Sequence, residues 1–158
     1  MVSEEYYKKS VHDFETQGRF VMTGLSALVL NGLVAHAFGP PCFLTDNKKL
    51  VNIRIRHKVF YYYEENVDFE NFVFPFDERA SNIMFPSKER AIVDCIRFKM
   101  RNVDEGIFLE ALYNYVIFEC GEEQDDFGKL KEVSDFYNID WSVMEYWMDE
   151  AEDFINRG

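Results

Sequence analysis

The apolar positions of this chain change their period twice, and each change predicts a change of element. Residues 4–16 alternate polar and apolar at helical spacing, which predicts a first helix stopping near Gly18. A second helix is expected to begin after Thr23 or Gly24. There Leu25, Leu28, Val29, Gly32 and Leu33 share one face, and Gly39-Pro40-Pro41 is expected to end it. The texture then turns to strand. Cys42–Thr45 reads as a short strand, and Asp46–Lys49 as a turn. Val51–Tyr63 is rich in β-branched and aromatic residues, as one long strand or as a hairpin turning at Arg56–Lys58. Phe72–Phe74 and Asn82–Phe85 predict two further short strands.

From Pro86 onward the helical period returns. Pro86 stops the last strand, and Ser87 is a natural N-cap. Glu89 puts negative charge in the first turn, where the helix dipole favours it. Ile92, Cys95, Ile96 and Met100 form the expected buried stripe. Three more helices are predicted, over Glu105–Glu119, Phe127–Tyr137 and Ser142–Asn156. The last opens with Ser142-Val143-Met144-Glu145, the spacing of a capping box. Trp141, Met144, Trp147, Met148, Ala151, Phe154 and Ile155 then recur at helical spacing, which suits a core stripe. The order helices, sheet, helices predicts one α+β domain over residues 1–158. A small central sheet is flanked by helices and followed by a helical part over 102–158.

Composition adds two constraints. Of the 158 residues, 47% are hydrophobic and 17% are Phe, Trp or Tyr, which excludes a disordered chain and leaves aromatics over for an interface. The net charge of −12 is segregated. Residues 1–60 hold 8 Lys/Arg against 5 Asp/Glu, residues 61–101 hold 6 against 8, and residues 102–158 hold 3 against 16. The local balances are +3, −2 and −13. Such an acidic C-terminal part excludes non-specific nucleic-acid binding through that part, and suits a basic protein surface or a purely solvating role. The polar, mixed-charge first twenty residues carry no secretory signal. The apolar run Phe20–Phe38 is too polar to span a membrane. Cys42, Cys95 and Cys120 lack metal-ligand spacing and read as free thiols of a cytoplasmic protein.

Two segments resemble the AbiEi-type antitoxins of abortive-infection toxin–antitoxin systems. Ser26-Ala27-Leu28-Val29-Leu30-Asn31-Gly32-Leu33 is similar to the family's helix leading into its small sheet, with Cys42–Asp46 where the first short strand falls. Pro86-Ser87-Lys88-Glu89-Arg90-Ala91-Ile92-Val93-Asp94 resembles the Pro-x-x-Glu-Arg-Ala-x-x-Asp junction. The resemblance covers roughly residues 20–100. It implies an antitoxin that neutralises a nucleotidyltransferase-type toxin by protein–protein contact. Typical members add an N-terminal winged helix that binds promoter DNA. Residues 1–19 are too few to hold one, so the resemblance implies the antitoxin-type domain alone, without direct nucleic-acid binding.

Three groups of residues carry candidate roles. Ser87, Glu89, Arg90 and Asp94 form a structural motif, with Arg90 and Asp94 spaced to pair on one helix face and tie the helix start to the sheet. On a continuous strand Arg54, Arg56, Lys58, Phe60 and Tyr62 share one face, a cationic and aromatic stripe suited to an acidic surface, or simply a solvated outer face. Glu145, Asp149, Glu150, Glu152 and Asp153 would line the last helix, and Glu119, Glu122, Glu123, Asp125 and Asp126 a loop. These acids are either a charged outer face or a contact surface. Arg54, Arg56, Lys58, Tyr62, Glu145, Asp149, Glu152 and Asp153 are therefore the expected partner-binding residues. The loop lacks a calcium-hand pattern, so no metal is expected. His12, His36 and His57 are scattered. With no nucleophile motif and no Gly-rich phosphate loop, neither an enzyme nor a cofactor is expected. The competing reading is an acidic inhibitor that imitates nucleic acid, such as a phage-encoded counter-defence protein.

Overall fold

The computed structural model describes residues 18–35, 41–48, 60–77, 80–101, 103–120 and 127–157. The fold is α+β, as the sequence pattern predicts. Five strands, β1 (Phe20–Met22), β2 (Cys42–Thr45), β3 (Phe60–Tyr63), β4 (Val73–Asp77) and β5 (Ala80–Pro86), form one mixed sheet in the order β3-β2-β1-β5-β4. Neighbours β1/β2 and β4/β5 are antiparallel, while β1/β5 and β2/β3 are parallel. Five helices are described: α1 (Gly24–Leu30), α2 (Lys88–Arg97), α3 (Glu105–Cys120), α4 (Gly128–Phe136) and α5 (Trp141–Arg157). The helix expected over residues 4–16 and the hairpin or strand expected over 51–59 lie outside the described residues.

Two elements differ from the sequence reading. Phe20–Met22 reads as the start of an apolar run, yet it is the central strand, fully buried between β2 and β5. A three-residue strand covered on both faces shows no alternation by which to detect it. The second helix also ends early, at Leu30, rather than running to Gly39. Gly32 takes φ +73, and two backbone bonds close the end: Gly32 N donates to Val29 O and Leu33 N donates to Leu28 O, each at 3.0 Å. This is a Schellman stop, and the Asn31-Gly32 pair is its signal.

The remaining boundaries follow local chemistry. Ser87 caps α2, its Oγ accepting from Arg90 N at 3.1 Å. Pro75 sits in β4, an edge strand, where its missing N–H costs no ladder bond. Helix α5 starts one residue early, and its cap is Asp140 rather than Ser142. Asp140 Oδ1 accepts from Ser142 N and Ser142 Oγ, each at 3.0 Å. Hydrogen bonding from the Ser142 backbone and hydroxyl holds the Asp140 carboxyl below the usual carboxylate range.

One core serves both halves. The rings of Phe20, Phe43 and Tyr61 meet on the sheet at 5.6–6.1 Å. The same cluster of buried side chains continues through Ile92 and Val93 into Phe108, Leu112, Leu130, Val133, Met144 and Ala151. The acidic helices are thus packed onto the sheet-bearing part through α2, not merely tethered to it.

The centre of that junction is charged. Arg90 is fully buried, its Nε donating to Asp94 Oδ2 at 3.1 Å, with Asp94 equally buried. Arg90 Nη1 donates to Asn71 O at 2.9 Å, and Arg97 Nη1 to Asp94 Oδ1 at 2.7 Å. The expected Arg90–Asp94 pair therefore forms, but it ties α2 to the loop before β4 rather than to a strand. The Tyr137 ring lies under Arg97 at 3.9 Å, and its hydroxyl donates to Asp68 Oδ2 at 2.9 Å. Burial pulls the Asp68 carboxyl upward. Hydrogen bonds from Glu70 N, Asn71 Nδ2, Tyr137 Oη and Asn71 N outweigh that and hold it below its ordinary value.

Three outcomes are expected. Gly24 has φ +59, and a Cβ there would lie 3.3 Å from Arg101 O, so Gly24→Ala should cost about 1–3 kcal/mol in urea unfolding. Asp94→Ala leaves a buried guanidinium without its counter-ion and should cost about 3–5 kcal/mol by the same assay. Acid should act through Asp68. Its carboxyl has a lower pKa folded than unfolded (about 3.9), so its stabilisation is complete above that value and is lost as pH falls through the folded pKa. Asp68→Asn should flatten the acid limb of a stability–pH curve below about pH 4, and leave its slope above pH 5 unchanged.

Candidate functional site

The sequence-predicted residues fall into three different situations. Arg54, Arg56 and Lys58 lie outside the described residues. Tyr62, expected beside them, is on β3 but half-buried, with the Arg101 guanidinium 5.1 Å above its ring. Arg101 Nη2 in turn donates to Glu64 Oε1 at 2.6 Å. Burial first, and then the neighbouring Cys42, push the Tyr62 hydroxyl up to about 12, with Arg101 opposing. Tyr62 is thus engaged within the fold, and it is not a free aromatic contact. Ser87, Arg90 and Asp94 are spent on the α2 junction. Glu89 stands half-buried in the first turn of α2, as the dipole argument expects.

The acidic group behaves differently. Glu145, Asp149, Glu152 and Asp153 are all exposed on α5. Helical spacing separates them from the stripe of Met144, Met148, Ala151 and Ile155 that turns inward, with Met144 and Ala151 fully buried. Loop residues Glu122, Glu123, Asp125 and Asp126 lie outside the described residues. Glu119 forms an ion pair with Lys88, linking the end of α3 to the start of α2.

Between α3 and α5 runs a groove of about 310 Å³. Its floor is apolar: Tyr113, Val116 and Ile117 come from α3, Phe127 from the start of α4, and Met148 and Ala151 from α5. Its rim is acidic and comes from α5, through Glu145, Asp149 and Glu152. These three stand at i, i+4 and i+7, in line along the helix. None of them forms an ion pair among the described residues. Asp153 is exposed beside the groove but does not line it.

Sequence reading did not find this groove, although one signal was present. Eleven of the sixteen residues of α3 are apolar, aromatic or cysteine, and they surround the helix. A helix apolar on every side is expected to be covered on every side. Here α2 and α5 cover part of it, and Ile117 and Phe118 remain 43% and 78% exposed. Exposed Tyr146, one turn from Asp149 on α5, adds an aromatic side chain beside the acidic rim.

Cys42 and Cys95 are both buried. Burial, and then the adjacent Asp94, push the Cys95 thiol well above its ordinary value, so it is held as the thiol. Among the described residues no cluster of His, Cys, Asp or Glu is arranged to hold a metal ion, and no helix is long and apolar enough to cross a membrane. No known protein family and no curated protein matches the chain.

Proposed function

We propose that this protein is an antitoxin-like, non-enzymatic protein of the cytoplasm that neutralises a nucleotidyltransferase-type toxin by direct contact. The observation that carries this reading is the α3–α5 groove, an apolar floor beside three carboxylates that form no ion pair among the described residues. Buried apolar contact supplies affinity, and unpaired rim charge supplies orientation and a faster encounter with a basic partner. The junction at Ser87, Glu89, Arg90 and Asp94, which resembles the antitoxin family, serves as the scaffold that presents this face.

The row of carboxylates on α5 also favours a second reading, an inhibitor that imitates nucleic acid. Against it stand the apolar floor of the groove and exposed Tyr146, one helical turn from Asp149. A surrogate for a phosphate backbone has no use for such side chains, whereas a protein interface does.

Co-expression with the nucleotidyltransferase-like toxin encoded beside such antitoxins separates the two. The chain is expected to restore growth, and Glu145→Lys/Asp149→Lys/Glu152→Lys is expected to lose at least about tenfold of the rescue in colony counts, equivalent to about 1.4 kcal/mol of binding. Failure of the unaltered chain to rescue growth, with toxin activity unchanged, sinks the antitoxin reading. Inhibition that duplex DNA or RNA relieves by competition favours the mimic.

A further inference from the structure

The groove has a shape and a charge that together restrict what can fill it. Its acidic rim follows one helix, with Glu145, Asp149 and Glu152 spanning roughly 10 Å along the axis of α5. Cations at the same helical spacing on a partner laid alongside would meet all three in register. The floor from Tyr113, Val116 and Met148 calls for apolar side chains, and at about 310 Å³ it holds a few of them rather than a folded surface. A second copy of this chain is a poor occupant, because residues 102–158 carry −13 and the same face would bring acid against acid. An acidic or phosphate-bearing ligand is excluded on the same ground.

Resting on the protein-contact reading above, we propose that the groove between α3 and α5 receives a basic amphipathic helix presented by the toxin. Its apolar stripe enters over Val116 and Met148, and its lysines or arginines pair with Glu145, Asp149 and Glu152. This is helix-in-groove recognition, with apolar anchors setting depth and charge setting direction. The ion pairs sit at the rim, so they weaken as salt rises, while the apolar anchors persist.

A labelled synthetic peptide of about 15 residues, four helical turns with a leucine stripe and lysines on the flanks, tests the site by fluorescence anisotropy on the full chain. Saturable one-to-one binding is expected. Glu145→Lys/Asp149→Lys/Glu152→Lys should weaken it about tenfold or more. Val116→Glu, which places a charge in the floor, should do the same. The three rim residues are exposed, so the triple variant keeps its fold, and circular dichroism checks both proteins. Equal binding of a scrambled peptide of the same composition overturns the proposal, because it reduces the contact to net charge. Equal binding of the acidic counterpart, with glutamates for lysines, overturns it too. So does a dimer of the unaltered chain in sedimentation equilibrium that Val116→Glu dissolves. The two readings fail separately. Groove variants that lose the peptide yet still neutralise the toxin overturn this occupant and leave the antitoxin reading standing. An unaltered chain that binds the peptide but rescues no growth keeps a basic-helix groove and removes the toxin as its partner.

Discussion

Burial of Arg90 with Asp94 is the constraint around which the two halves of this protein are assembled. A guanidinium and a carboxylate, both fully out of water, incur a large desolvation penalty. The fold offsets it by giving nearly every polar atom a partner. Asp94 accepts from both Arg90 and Arg97, while Arg90 reaches the Asn71 carbonyl. Of the polar atoms of this pair, Nη2 of Arg90 alone has no hydrogen-bond partner among the described residues, and the Tyr137 ring lies 5.5 Å from that guanidinium. These contacts bring together α2, the loop before β4 and the end of α4. They also hold Phe72, whose φ of +58 is rare for a bulky side chain, with its ring edge-on to Phe136 at 5.2 Å. A pair this demanding in geometry is weak evidence for stability but does select one arrangement over slightly shifted ones.

The α3–α5 groove is a consequence of that arrangement. Helix α3 is apolar all round and is shared between α2 and α5, which cannot both cover its far end. Ile117 and Phe118 are left exposed as a result. An exposed apolar strip on a lone molecule invites self-association, and the carboxylates of α5 counter it by making identical faces repel. The same charges are what a cationic partner needs. Under the proposal above, the residues that keep identical faces apart are also the ones that select a partner of opposite sign. The paired cations Arg97 and Arg101, by contrast, are stacked on Tyr137 and Tyr62 and are engaged within the fold.

Legibility in the sequence followed distance along the chain. The stop at Pro86, the cap at Ser87, the Arg90–Asp94 spacing and the extents of α3, α4 and α5 all depend on neighbours within about one helical turn, and each could be read directly. Asp140 displaced Ser142 as the cap of α5 because both residues suit that role and the choice turns on one residue of register. Gly39-Pro40-Pro41 is the stronger-looking stop signal, but the left-handed Gly32 after Asn31 ends the helix first.

What the sequence determined by itself is therefore helices α2 to α5, the strands other than β1, the α+β class and the concentration of acid in residues 102–158, because local hydrogen bonding, period and charge count need no knowledge of the fold. Tertiary structure alone decided that Phe20–Met22 is the central strand, that Tyr62 is occupied by Arg101, and that Arg90 answers to Asn71. It also decided that one apolar side of α3 meets the row of carboxylates on α5. Each of these joins residues far apart in the chain, and packing rather than propensity chooses which distant groups share a dielectric, a partner or a groove.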